Sequence, residues 1–366
     1  MQQNPWLRKS LAVGIILLFV GTCIIPAIAQ DTKKPSPTAR GIWLYVGGSG
    51  PGNYSRIQDA IDNASDGDTV FVFAGLYMEN VFVNKSLILI GENREITIVD
   101  ANGTNSTIVL GASGITINGF TIQHSGINLD KAGIKIRQSA SLVDNICITN
   151  NIIKENWHAI DVYYSKNNTF SDNIIKDNLE HGIYSQNELC NSTISNNSIE
   201  GNQFGVFLYG SSNNLIRDNM IERCATSGIY LWVSDSNLIT SNYIANNEYG
   251  INVGDSSNNI IYNNNISNNE LGISIGNAPV TMVKKNNFVD NIIHASFSYH
   301  FKEYILNFGQ LARWWRNYWS NNSGLMKIEG NLYFIIDHYE PQYIHIPWRQ
   351  FDFLPIKTPY EIGGRW

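Results

Sequence analysis

An asparagine recurs through the middle of this chain at intervals of 22 to 24 residues: Asn151, Asn173, Asn197, Asn219, Asn242, Asn264 and Asn286. Three residues before each stands an apolar side chain, Ile148, Phe170, Ile194, Ile216, Ile239, Ile261 and Val283, and two residues after each stands another, from Ile153 to Phe288. Five positions after comes a second asparagine, except that Cys224 takes the place in one repeat. Gly182, Gly205, Gly228, Gly250 and Gly272 then open short alternating runs such as Gly228-Ile229-Tyr230-Leu231. Segments this short cannot be helices, and their spacing is too even for a sandwich. Wound as a solenoid, each segment pairs in parallel with its counterpart about 4.8 Å away in the next coil. The apolar positions then stack inside. The asparagines stack at the turns, where their amides bond along the column and their backbone tolerates left-handed φ. The pattern predicts an all-β, single-stranded parallel β-helix of about 22–23 residues per coil with three short strands per coil.

Composition agrees with a neutral, asparagine-coated surface. The 366 residues include 47 Asn but only 25 Lys and Arg against 31 Asp and Glu, a net charge of −6. That balance excludes a nucleic-acid binder with a basic face. The apolar fraction excludes a disordered chain, and four Cys exclude a disulfide scaffold.

The ends read differently from the middle. Arg8 and Lys9, the apolar stretch from Leu11, and Ala27-Ile28-Ala29 form an export signal over residues 1–29, with cleavage expected after Ala29. The alternative is an uncleaved anchor, which would be the protein's one attachment to a membrane. Residues 30–40 are a linker, 41–298 the β-helix with its N-terminal cap, and 299–366 an aromatic segment expected to close the far end. Ser55 and Gln58 suggest a capping box for a helix whose apolar face, Ile57, Ala60, Ile61 and Ala64, covers the near end. Removal of the signal leaves Cys147, Cys190 and Cys224, so at least one thiol is free or bonded to another molecule. Sequons at Asn53, Asn84, Asn102, Asn191, Asn265 and Asn321 are available for glycosylation outside the cell.

Alternation also picks out an outward face. With Ile183, Val206 and Ile229 inside, Tyr184, Phe207 and Tyr230 face out on three successive coils, and Tyr163, Gln186, Tyr209 and Trp232 recur two residues along. Asp161 and Asn252 flank these columns. Tyr163, Tyr184, Phe207, Tyr209, Tyr230 and Trp232 are therefore the candidate carbohydrate-binding residues, because pyranose rings repeat at about the coil rise and stack on aromatic faces. Mutual stacking for stability and cover by the C-terminal segment are the competing roles. His158 and His181 fall one coil apart, with Asp161 and Glu180 near, and form a candidate Zn²⁺ or Cu²⁺ set. A solvated polar edge is the plain alternative. No cofactor is expected beyond copper or calcium as lesser options, and no run resembles a calcium loop.

The run Ile57-Gln58-Asp59-Ala60-Ile61, then Gly67-Asp68-Thr69-Val70, then Gly75-Leu76-Tyr77-Met78-Glu79-Asn80, resembles the entry of pectin-esterase-type helices. With the repeats and the tail motifs Asn317-Tyr318-Trp319-Ser320 and Pro347-Trp348-Arg349-Gln350-Phe351, residues 41–366 resemble secreted right-handed β-helix proteins of the pectate-lyase-like superfold. More narrowly they resemble NosD-like, carbohydrate-binding and sugar-hydrolase repeat proteins of archaeal cell surfaces. The resemblance implies a right-handed coil, copper handling in some relatives, and sugar binding or cleavage in others. The motifs of the cleaving relatives are absent: there is no Gly-His-Gly, no Arg-Ile-Lys and no Asp-Pro-His, so no catalytic residue is assigned. The leading expectation is an exported, non-catalytic β-helix that binds a polysaccharide, a cell-surface glycan or a surface protein through its aromatic face. The alternatives are a polysaccharide lyase or hydrolase and a NosD-like copper-handling protein.

Overall fold

The computed structural model describes residues 41–137, 142–302, 311–320, 326–335, 343–352 and 354–362. The expected export signal and linker, and Phe353 of the aromatic tail, lie outside the described residues. From Trp43 onward the chain winds through three parallel sheets in turn. The first holds 12 strands beginning with Trp43–Val46, the second 11 beginning with Gly75–Met78, and the third 12 beginning with Val81–Val83. All neighbours within a sheet are parallel except the last pair of the third, Met326–Ile335 and Tyr343–Asp352.

Register is set by the apolar columns. Ile148, Phe170, Ile194, Ile216, Ile239, Ile261 and Val283 are successive partners in the first sheet, and Ile153 through Phe288 in the second. All are buried. Each such side chain contributes about 1.5–3 kcal/mol, and a slip of one residue would turn every one of them outward.

The turns hold amide ladders. In the column through Asn219, the Asn242 Oδ1 accepts from the Asn219 backbone N–H at 3.0 Å and from its Nδ2 at 2.9 Å, and Asn242 repeats the pattern onto Asn264. The left-handed residue is not the ladder asparagine, as the sequence suggested, but the one before: Asn150, Asp172, Asn196, Asp218, Ser241, Asn263, Lys285 and Arg316 have φ between 53° and 58°. The ladder residue itself must aim its amide inward along the axis, and its predecessor makes the corner. A third ladder, through Asn168, Ser192, Asn214, Asn237 and Asn259, joins the third sheet back to the first.

The glycine column has a steric cause. A Cβ on Gly205 would lie 2.5 Å from the Gly228 carbonyl oxygen and 2.6 Å from the Ile221 Cγ2, so this coil has no room for a side chain at the corner into the third sheet, a place that Ala159 takes in an earlier coil.

At the near end the helix α1, Ile57–Asn63, covers the core with Ile57, Ala60 and Ile61. No capping box forms: Arg56 is the N-cap and makes no side-chain cap bond. Instead the Glu79 carboxylate accepts from the backbone N–H of Ile57 at 2.9 Å and of Gln58 at 3.2 Å. Lys85 Nζ donates to the carbonyls of Ile61, Asp62 and Ala64 at the other terminus. An acid at the N-terminus and a base at the C-terminus both complement the helix dipole.

At the far end the ladders run on past residue 298. Trp314 pairs with Val283, and Trp319 pairs with Phe288 and stacks on it at 4.3 Å. Asn317 extends the asparagine ladder, and the buried Asp352 carboxylate ends it. Its Oδ2 accepts from Asn317 N at 2.8 Å, Asn317 Nδ2 at 3.0 Å and Trp319 Nε1 at 3.1 Å.

Candidate functional site

The outer face of the third sheet collects the residues the alternation singled out. One outward column reads Lys135, Asp161, Tyr184, Phe207, Tyr230, Asn252, Ser274 and Ser296 in successive coils. Beside it Tyr209 pairs with Trp232, which pairs with Gly254. On the other side stand His181 and Phe204.

These rings stack on one another. His181 lies parallel to Tyr184 at 4.3 Å and to Phe204 at 5.0 Å, Phe207 to Tyr230 at 4.8 Å, and Tyr230 to Trp232 at 6.1 Å. Tyr184, Phe207 and Tyr230 are consequently half-buried, whereas Tyr209 and Trp232 remain 39% and 41% exposed. Binding and stacking are thus not exclusive roles. The inner rings brace the column, and Tyr209 and Trp232 present most of its free area.

Tyr163 does not join the column. A register shift after Val162 pairs it with Asn187 rather than with the coil position of Gln186. Its ring sits at 4.4 Å edge-on to Tyr164 and under the Arg137 guanidinium at 4.8 Å. Sequence spacing alone could not place this bulge, because the coil length there changes within one strand, from 23 residues between Val162 and Ser185 to 24 between Tyr163 and Asn187.

The four residues of the expected metal set are not arranged to share an ion. His158 and His181 are buried and hydrogen-bonded to each other, Nδ1 to Nδ1 at 3.0 Å, so one must donate and both Nδ1 atoms are engaged. Burial pushes His158 down to about 4, and burial together with the His158 ring pushes His181 down to about 3, which keeps both imidazoles neutral. Asp161, 1% exposed, instead takes both amide contacts of Gln186 Nε2 at 3.1 Å. Its carboxyl is pushed up to about 6 by burial, against the opposing pull of Lys135 at 3.8 Å. The Glu180 backbone carbonyl accepts from Gln203 and Phe204 on the next coil. Among the described residues no group of three or more His, Cys, Asp or Glu is placed to hold a metal ion. Cys224 is likewise inert: burial drives its thiol up to about 12. All three described cysteines are free thiols.

Two features escaped the sequence reading. On the outer face of the first sheet Trp43, Tyr45, Phe71 and Phe73 form a second aromatic cluster with ring centroids 5.1 to 6.3 Å apart. On the third sheet a cleft of about 590 Å³, lined in part by Lys131, Lys135 and Arg137, opens two coils before Tyr184. The aromatic cluster falls before the asparagine period is established, and the basic residues lie at the irregular spacing of 131, 135 and 137.

Residues 61–248 match the family model described as periplasmic copper-binding protein (NosD), and residues 190–307 match the right handed beta helix region. A cell surface glycoprotein of Methanothermus fervidus is 41% identical over 71 residues, 19% of this chain, and the match spans only 12% of that relative's length. Among solved structures, the mannuronan C-5 epimerase AlgE6 A-module of Azotobacter vinelandii superposes with a TM-score of 0.54 at 16% identity, over 72% of this chain and 88% of that one. XylC in complex with xylose gives 0.57 at 13% identity, over 72% and 76%. The enzymatically active domain of bacteriophage CBA120 tailspike protein 2 gives 0.56 at 13% identity, over 69% and 46%. At these identities the likeness to solved structures is one of fold.

Proposed function

The chain belongs to the NosD family of right-handed β-helix proteins, and from that premise we propose that it is an extracytoplasmic protein that binds a glycan along the aromatic face of its third sheet. The observation that carries this reading is the stack from His181 to Trp232, three coils of ordered rings ending in the exposed Tyr209 and Trp232. Rings already held by their neighbours lose little rotamer freedom when a ligand arrives. Sugar stacking on the exposed ones is worth about 0.5–1.5 kcal/mol each. The coil rise of about 4.8 Å matches a pyranose repeat, so successive sugars meet successive coils. The names of proteins with this fold, which mention mannuronan and xylose, support a carbohydrate ligand, and the cell surface glycoprotein relative supports an external location.

The family's name points to copper, but the described residues do not offer copper a ligand set: the two imidazoles bond each other, and Met220 and Met282 stand in different sheets. Asp161 has the raised pKa of a proton-transfer group, yet it is buried beneath Gln186, which favours binding over cleavage. The test is a glycan array with the purified protein, followed by product analysis of every bound polysaccharide. Binding that Trp232→Ala and Tyr209→Ala abolish, with no accumulation of reducing ends or unsaturated products, is expected. Product formation lost on Asp161→Asn would replace the binding reading with an enzymatic one.

A further inference from the structure

We infer that the cleft of Lys131, Lys135 and Arg137 is a subsite for a carboxylate-bearing sugar of the same glycan, and that Asp130 occupies it in the free protein. The inference rests on the glycan-binding reading and gives it a ligand class, an acidic polysaccharide.

Three bases within seven positions are unusual in a chain with 25 of them and a net charge of −6. They converge on one carboxylate. Lys135 Nζ bonds Asp130 Oδ1 and donates to its main-chain carbonyl at 2.7 Å, while Arg137 Nη1 stands 3.6 Å and Lys131 Nζ 3.8 Å from the same side chain. The layering is the informative part. The Lys135 side chain is 9% exposed, whereas that of Asp130 is 61% exposed, so the anion sits outermost on a loop and the cation beneath it on a strand. A surface ion pair contributes little to stability, and an outward carboxylate can leave without uncovering the core. Once it leaves, Lys135 faces a cleft of about 590 Å³ with Asn80 and Asn105 on its walls, amides suited to sugar hydroxyls. The Asp161 carboxylate, 3.8 Å from Lys135 Nζ, offsets part of the charge left behind, so the net positive charge of the opened cleft rests mainly on Lys131 and Arg137.

Position ties the cleft to the aromatic face. Lys135, Asp161 and Tyr184 are consecutive register partners, which places Lys135 about 10 Å along the axis from Tyr184. Phe207 and Tyr230 follow in the same column, so the coil carrying Trp232 lies about 19 Å from Lys135, the reach of roughly four sugars. One acidic residue in the cleft and another ring against Trp232 would use both features in a single chain.

The test compares hexagalacturonate and hexamannuronate with the carboxyl-reduced, neutral form of each, titrated against the full chain by calorimetry at low salt. The uronates are expected to bind about ten-fold tighter than the reduced forms, with the difference shrinking as salt rises. Arg137→Gln and Lys131→Gln, both at the surface, should remove most of that difference and leave the melting temperature alone. Asp130→Asn should raise uronate affinity several-fold without changing affinity for the reduced oligomers. Equal affinity for charged and neutral forms, or no gain from Asp130→Asn, overturns the carboxylate subsite while leaving glycan binding intact. A sulfated hexamer bound as tightly and unaffected by Arg137→Gln would show diffuse ion exchange and equally overturn it. Failure of all the oligomers to bind would remove the underlying reading as well.

Discussion

Replacing Cys224 by Asn should make this protein more stable. In the ladder at the second turn, Asn178 Oδ1 accepts from Asn156 N and Nδ2, both at 3.1 Å, and Asn178 in turn bonds Asn202 Oδ1 from N at 3.1 Å and Nδ2 at 3.0 Å. At Cys224 the ladder skips. The Cys224 backbone still donates to Asn247 Oδ1 at 2.8 Å, but no amide oxygen lies ahead of Asn202, whose Nδ2 turns to the carbonyls of Ile175 and Glu200. The thiol stands where the amides of neighbouring coils stand: a Cβ on Gly205 would lie 3.2 Å from the Cys224 Sγ, and one on Gly228 would lie 3.1 Å from Asn247 Nδ2. A restored asparagine would regain bonds to Asn202 N, Asn202 Nδ2, Asn247 Oδ1 and a carbonyl one coil back, as Asn178 does to Ile153. Four bonds at about 0.5–1.5 kcal/mol each, less about 1–3 kcal/mol for burying the amide, leave a net gain of about 1–3 kcal/mol. The reverse change, Asn242→Leu, strips five side-chain contacts and leaves the buried Asn219 N–H without an acceptor, a loss of about 3 kcal/mol or more. Urea midpoints of both variants against the parent measure the pair. A Cys224→Asn midpoint at or below the parent's, together with an unchanged Asn242→Leu, would refute the claim that the amide columns stabilise the turns.

Acid should weaken the fold through the buried imidazoles. With folded values near 4 for His158 and 3 for His181, the unfolded chain takes up protons first as pH falls below about 6.5, so stability drops from there towards pH 4. Asp161 works in the opposite sense, binding its proton more readily when folded. Its cost, at most about 3 kcal/mol for a rise from 3.8 to about 6, is present above pH 6 and relieved between 6 and 4. Asp161→Asn should therefore raise the melting temperature at pH 7.5 and not at pH 4, which a pH series of thermal melts decides. Gly205→Ala forces a Cβ against the Gly228 carbonyl oxygen and Ile221, and should cost about 1–3 kcal/mol on the same assay. Phe207→Ala, with rings stacked on either side, should lower both glycan affinity and the melting temperature, whereas Trp232→Ala should lower affinity alone. Dialysis against Cu²⁺ or Zn²⁺ followed by elemental analysis should leave no stoichiometric metal; one ion per chain that disappears in the His158→Phe and His181→Phe variants would reinstate the copper reading.

The solenoid was legible because its cause is local and repeated. Every coil solves the same problem with an inward Ile, a corner and an amide, so each repeat restates the one before. The outward aromatics were legible for the same reason, since Tyr184, Phe207 and Tyr230 follow inward partners whose direction is fixed. What escaped depends on contacts between coils that share no period. Glu79 and Lys85 reach back more than twenty residues to the ends of α1, where the local Ser55 and Gln58 pattern pointed to a different cap. The bulge beside Tyr163 requires counting unequal coils, and the basic cleft assembles from three coils at irregular spacing. The mutual bonding of His158 and His181 turns on ring rotation, which no spacing encodes.

Asp352 and Glu79 bear on how such a chain can change over generations. Asp352 ends the asparagine column and Glu79 caps α1, each by contacts within one or two coils of its own end, and neither senses how many turns lie between them. Duplicating or deleting a unit of about 22 residues in the interior therefore leaves both closures intact and alters one property, the length of the outer face, in steps of about 4.8 Å. Asp352 also stops growth at the molecular level. A carboxylate accepts from Asn317 but has no N–H to pass onward, so a second molecule arriving at that end finds no donor with which to continue the column. The fold is in this sense a ruler cut to size, with a graduation that copying errors can lengthen and a carboxylate that closes its asparagine column.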